Sequence, residues 1–113
     1  MSRVAVLPER ERGVCQPIKA DLSAKRVSDL TELFKVLSDP IRLQIVAALR
    51  DAKDEVCVCD CTASFAVSQP TMSHHLAKLR EAGLLSGTRR GTWVYYRLRS
   101  DLPETVRRIV ESI

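Results

Sequence analysis

Three of the four cysteines in this chain stand together in Cys57-Val58-Cys59-Asp60-Cys61. Thiolates are soft ligands, so such a cluster suits Zn(II), Cd(II), Pb(II), Cu(I) and the thiophilic ions As(III) and Sb(III). Helix geometry limits which thiols can act together. In a regular helix, residues two apart point about 160° from each other, whereas residues four apart share a face. Two arrangements therefore stay open. If a helix begins near Val58 or Asp60, Cys57 lies in the preceding loop and can swing to meet Cys59. A third thiol, Cys15, would then come from the N-terminal segment. If the helix already includes Cys57, the Cys57/Cys61 pair is better placed. Cys61 shares the apolar phase of Val58 and Phe65, and free cysteine is among the most buried residue types, so its expected role is in the core.

A second chemistry follows directly in sequence. Ser68-Gln69-Pro70-Thr71-Met72-Ser73-His74-His75-Leu76 begins with a helix cap and puts Pro70 where the first turn lacks N–H partners. Met72, Leu76 and Leu79 form a buried stripe. Gln69, Thr71, Ser73, His74 and Lys78 fall mostly off it, giving short hydrogen-bonding groups for base edges and a lysine for phosphate. The N-terminus capped by Ser68 adds N–H groups toward phosphate. Arg89, Arg90 and Thr92 sit around a glycine turn further on and could follow the DNA backbone or minor groove, while Trp93 and Tyr95 are expected to anchor the strands. His74 and His75 point about 100° apart on a helix and cannot easily share a metal. His74 is assigned to DNA or backbone contact and His75 to a packed, hydrogen-bonded position.

The elements that must carry these groups read as five helices and a two-stranded wing. Residues 1–20 mix charges, prolines and small residues without a period and are expected to be a mobile arm bearing Cys15. Residues 21–113 form one unit. Val27, Leu30, Phe34 and Leu37 give the first helix an apolar stripe from about Leu22. Asp39 and Pro40 start a second helix with Ile41, Ile45, Val46 and Leu49. The cysteine segment makes a short third helix, and the fourth ends at Ala82-Gly83. Leu84 to Arg89 and Trp93 to Leu98 are two strands joined around Arg90-Gly91-Thr92. A last helix runs from about Leu102 to Ile113, with Val106, Ile109, Val110 and Ile113 on one face. That face and the first helix are the expected seam of a homodimer. Helix, turn, helix and basic hairpin is the order of a winged helix-turn-helix, mainly α with a small β-hairpin, whose second helix enters the major groove.

Composition agrees without deciding the matter. The 113 residues carry 18 Lys+Arg against 14 Asp+Glu, a net charge of +4 that suits a polyanionic partner. No run approaches the roughly 18 apolar residues of a membrane span, and the N-terminus lacks the apolar core of a signal peptide, so a cytoplasmic protein is expected. Stable disulfides are not expected in that compartment. A redox motif of the Cys-x-x-Cys kind at a helix start is missing. No acid/base pair, Gly-rich phosphate loop or nucleophile with a positioned base emerges, which speaks against an enzyme.

Leu37-Ser38-Asp39-Pro40-Ile41-Arg42-Leu43, Cys57-Val58-Cys59-Asp60, the Ser68-to-Leu76 run and Gly91-Thr92-Trp93-Val94-Tyr95-Tyr96-Arg97-Leu98 together resemble the ArsR/SmtB family of metalloregulatory repressors. The similarity spans about Leu30 to Leu98. It implies a homodimer that occupies operator DNA, an inverted repeat, when metal-free and leaves it when metal binds. Cys57 and Cys59 match the family's Cys-Val-Cys-Asp thiols. Some arsenite sensors carry a third cysteine three positions after the second, which here is Thr62, and Cys61 falls where the family usually has leucine. Cys15 resembles the N-terminal thiols of cadmium/lead sensors and of actinobacterial-type arsenite sensors. The family's other site, on the last helix, needs histidine, and only Asp101, Glu104 and Glu111 stand there. The resemblance implies As(III) as inducer through Cys15, Cys57 and Cys59, with Sb(III), or Cd(II) or Pb(II) using Cys61 as well, as alternatives. A thiol redox sensor using Cys15 and Cys59 is a further reading.

Overall fold

Short polar side chains start three of the helices. Ser23 Oγ accepts the Arg26 N–H at 3.1 Å, Asp39 Oδ1 accepts the Ile41 and Arg42 N–H groups at 2.9 and 3.0 Å, and Ser68 Oγ accepts the Thr71 N–H at 3.3 Å. Each satisfies donors that the first turn leaves without an intrahelical partner. In the computed structural model, which describes residues 9–113, these caps open α1 (Ala24–Leu37), α2 (Pro40–Asp51) and α4 (Gln69–Glu81). Between the last two lie β1 (Val56–Cys57) and α3 (Val58–Phe65). They are followed by β2 (Leu85–Arg90), β3 (Trp93–Leu98) and α5 (Glu104–Ser112). No helix among the described residues is long and apolar enough to cross a membrane.

The expected five helices form, and the wing gains a strand. The sheet is antiparallel in the order β1-β3-β2, so two residues just before the cysteine helix pair with the wing, Val56 with Tyr96 and Cys57 with Tyr95. Two residues carry no period, so this strand exists only through its non-local partner. The hairpin closes over Gly91 and Thr92, with Gly91 at φ 65°, and β2 extends to Arg90. Helix α1 begins at Ala24 rather than Leu22, and α5 at Glu104 rather than Leu102, with Pro103 as its N-cap. Residues 9–23 hold one turn and neither helix nor strand, and all their side chains are exposed. The rest of the expected arm, 1–8, lies outside the described residues.

Ile45, Val46, Met72, Leu76, Leu79, Leu84 and Leu85 are essentially inaccessible and form the centre of the core, with Leu37, Tyr96 and Val110 around them. The stripe expected on α1 divides. Leu37 enters the core, joined by Leu33 from outside the stripe, whereas Val27 and Phe34 remain 47% and 52% exposed in the single chain. Their spacing is helical and apolar, but periodicity does not tell which apolar face meets the chain's own core. Trp93 is a second departure: it stands at the wing tip, 48% exposed, and Tyr96 is the wing aromatic that anchors the sheet.

Candidate thiol site and nucleic-acid interface

The two halves of the candidate site share one helix pair, since α3 packs on α4. Cys57 is the N-cap of α3, with φ −76° and ψ 150°, and its N–H donates to Asp60 Oδ2 at 2.9 Å. This is the reach-back half of a capping box, and it fixes where the helix starts. Because the helix begins at Val58, Cys57 is extended rather than helical and its side chain escapes the phase that would have turned it from Cys59. The Cys59 thiol donates to Cys57 Sγ across 2.9 Å. Of the two open arrangements, this is the first.

The four thiols differ in access. Cys57 is buried and Cys59 exposed, so the pair straddles the protein surface. Sharing its proton with Cys57 raises the Cys59 thiol above its ordinary value, with burial and the Cys57 and Asp60 charges adding to the effect. Cys61 is buried among Ile45, Leu49, Val56 and Phe65, and burial, with a smaller effect of Asp60, pushes its thiol up to about 11. It sits in the core, as free cysteines commonly do. Cys15 is exposed in the segment before α1. Among the described residues no three His, Cys, Asp or Glu side chains are gathered closely enough to hold an ion. The structure thus brings Cys57 and Cys59 together and leaves Cys15 apart.

On α4, Met72, His75, Leu76 and Leu79 face inward, and Ser68, Gln69, Thr71, Ser73, His74 and Lys78 are all exposed. Ser68 Oγ also donates to Thr71 Oγ1 at 2.9 Å, so the two hydroxyls form one polar knob at the helix start. His75 holds α4 to α2: Arg42 donates from Nη1 to His75 Nδ1 at 3.2 Å and from Nε to the Val36 carbonyl at 2.7 Å. A guanidinium can only donate, so in this contact His75 Nδ1 stands as the acceptor. Asp39 lies nearby, its Oδ1 3.9 Å from the same nitrogen. Its carboxyl is held below the ordinary range chiefly by the Arg42 backbone N–H. In the wing, Arg89, Arg90 and Thr92 are exposed. Arg90 is already engaged, pairing with Glu55 and lying 5.3 Å from the Tyr95 ring centre.

Three contributors were not singled out from the sequence. Asp60 was legible, because it stands three residues after a capping position. Arg42 and Glu55 were not, since their partners lie on distant elements.

The family model described as bacterial regulatory protein, arsR family, matches residues 39–86, which include both helices of this pair. Over 81 residues the chain is 45% identical to an arsenical resistance operon repressor of Escherichia coli (strain K12), covering 72% of this chain and 68% of that one. Over 94 residues it is 37% identical to a homolog of the cadmium resistance transcriptional regulatory protein CadC from Staphylococcus aureus, covering 83% and 74%. Its fold is similar to the solution NMR structure of the homodimeric winged helix-turn-helix DNA-binding domain of Mb0332 from Mycobacterium bovis. That match has a TM-score of 0.66 at 28% identity and covers 86% of this chain and 85% of that one. With a recognition helix carried on the same core, a wing beside it and these relatives in sequence, the chain belongs to the ArsR/SmtB family of bacterial transcriptional repressors and is a DNA-binding regulator, not an enzyme.

Proposed function

We propose that the chain acts as a homodimer that occupies an inverted-repeat operator and is released when As(III) or Sb(III) binds its cysteine thiolates. The observation that carries this reading is the Cys57–Cys59 pair, two sulfurs 2.9 Å apart at the start of the helix that packs on the recognition helix. Soft thiolates fit a thiophilic ion. Cys57 and Cys59 would hold it, with Cys15 as third donor brought by an N-terminal arm, residues 1–20. Ser68, Gln69, Thr71, Ser73, His74 and Lys78 would face the major groove, and Arg89, Arg90 and Thr92 the flanking backbone. Two recognition helices would then sit about one DNA turn apart, roughly 34 Å. The relative named as an arsenical resistance operon repressor supports the choice of ion.

A second reading, a Cd(II)/Pb(II)-responsive repressor of the same fold, is favoured by the fourth thiol and by the cadmium-regulator relative. Gel-shift titration separates the two. Arsenite should weaken operator binding by about 100-fold, a coupling near the upper end of the usual range. Cys59→Ser should bind operator normally and lose that response, and Cys61→Ser should keep it. Unchanged operator affinity at saturating arsenite would sink the first reading, and a Cys61→Ser variant deaf to Cd(II) would favour the second.

A further inference from the structure

Glu55 is an acid with little reason to be where it is. Its side chain is only 7% exposed, although it follows the charged turn Asp51-Ala52-Lys53-Asp54, and its carboxylate meets two arginines of the wing: Arg90, in direct contact, and Arg97, at 3.8 Å. The sheet register explains the meeting. Cys57 stands opposite Tyr95, and continuing that pairing by two residues sets Glu55 across from Arg97 on the same face of β3. On the other side of β3, Tyr95 faces Thr88, so Arg90 reaches Tyr95 diagonally and covers its ring. The contacts close on themselves: Cys57 pairs with Tyr95, Tyr95 supports Arg90, Arg90 pairs with Glu55, and Glu55 is joined to Cys57 through the single residue Val56.

We infer that Glu55 is a positioning residue of the switch, coupling the Cys57 thiol to the wing through its ion pairs with Arg90 and Arg97. The inference rests on the metal-released repressor reading and adds a second route to it. A ligand that moves Cys57 acts on α4 through α3, and it also acts on the wing through β1, because any displacement of Val56–Cys57 carries the Glu55 carboxylate with it. A largely buried carboxylate and two guanidinium groups cannot be separated without exposing or orphaning charge, so the wing arginines follow. With the thiols reduced and unligated, the pairs hold Arg90 and Arg97 in fixed positions beside the exposed Arg89. When Cys57 is drawn toward an ion, the wing is displaced from the backbone it follows.

The test uses the reduced full-length protein and Cd(II), whose binding is read by thiolate-to-metal absorbance, with arsenite as a second probe. Operator affinity is measured with and without ion for the native chain, for Glu55→Gln, and for the Arg90→Gln/Arg97→Gln pair. In Glu55→Gln the Cd(II) stoichiometry and affinity should match the native chain, while ion-induced release should fall from about 100-fold to below about 10-fold. Adding Glu55→Gln to the double arginine variant should lower the release ratio no further, as a double-mutant cycle requires of a direct coupling. If the native chain releases DNA and Glu55→Gln releases it equally well, the inference is overturned and the repressor reading stands. If the native chain does not release DNA with either ion, the reading itself falls and takes the inference with it. Should Glu55→Gln fail to fold, the arginine variant decides through its release ratio, taken against its own metal-free operator affinity because Arg90 also stands among the proposed DNA contacts. Both its changes lie on exposed wing positions. Full ion-induced release by that variant would overturn the inference.

Discussion

At the scale of single residues, the site is a matter of where four protons and four sulfurs can go. Cys57 and Cys59 share one hydrogen bond, and that sharing favours the protonated form of Cys59. Cys61, one turn into the same helix, is held neutral by burial. Its raised value has a consequence for stability. Between the ordinary thiol range near 9.0 and the folded value of about 11, the folded state keeps a proton that the unfolded state has lost. Stability from this group is therefore complete below the unfolded value and is lost as pH rises through the folded one. Melting temperature should fall as pH goes from 9 to 11, and Cys61→Val, which leaves an apolar side chain in the same place, should reduce that fall. A profile identical to the native one would show that Cys61 ionisation contributes nothing.

At the scale of elements, the turn between α3 and α4 decides how thiols and reading helix are spaced. Ala66 ends α3 in the left-handed region, at φ 52° and ψ 36°, the only residue other than glycine to take a positive φ among those described. An L-residue there is strained by about 1 kcal/mol, and glycine is the usual occupant of such helix ends. Ala66→Gly should therefore stabilise the fold by up to about 1 kcal/mol in urea unfolding, since relief of strain outweighs the added freedom of the unfolded chain. A decrease in stability would mean that the turn is not strained. The β1 segment acts at the same scale. Its two residues tie the thiol pair to the wing by backbone hydrogen bonds, so α3, α4 and the hairpin are positioned from one short stretch of chain.

At the scale of the whole molecule, the open question of α1 becomes one of assembly. Val27 and Phe34 lie outside the core on a helix that α5 approaches, where Arg26 Nη2 donates to Thr105 Oγ1 at 3.4 Å. In a homodimer these apolar side chains would be covered by the partner, and two half-sites on DNA require that partner. Phe34→Lys should leave the single chain folded, because the position is half exposed, and should shift sedimentation toward the monomer while weakening operator binding by at least about 10-fold. The burial of one phenylalanine, on the order of 2 kcal/mol, sets that scale. A variant that remains dimeric would move the seam elsewhere.

The sequence alone determined what is local. Apolar periodicity gave the five helices, Asp39 and Ser68 gave two of their starts, and Gly91 gave the hairpin turn. The type and spacing of Cys57 and Cys59 pointed to soft-ion chemistry, while the polar positions of α4 outlined a reading face. Each of these depends on neighbours within a few residues, where caps, turns and helical phase act. Tertiary structure decided the rest. The Asp60 bond that starts α3 after Cys57 is local, but that Cys57 also joins the wing depended on its pairing with Tyr95, which brings together residues almost forty apart in sequence. Leu33 rather than Phe34 entered the core because that side of α1 meets Ala82, Leu102 and Val106 from distant parts of the chain. Glu55 acquired two arginine partners only when β1 joined the wing. Such contacts are set by strand register and helix packing, which no short window of sequence contains.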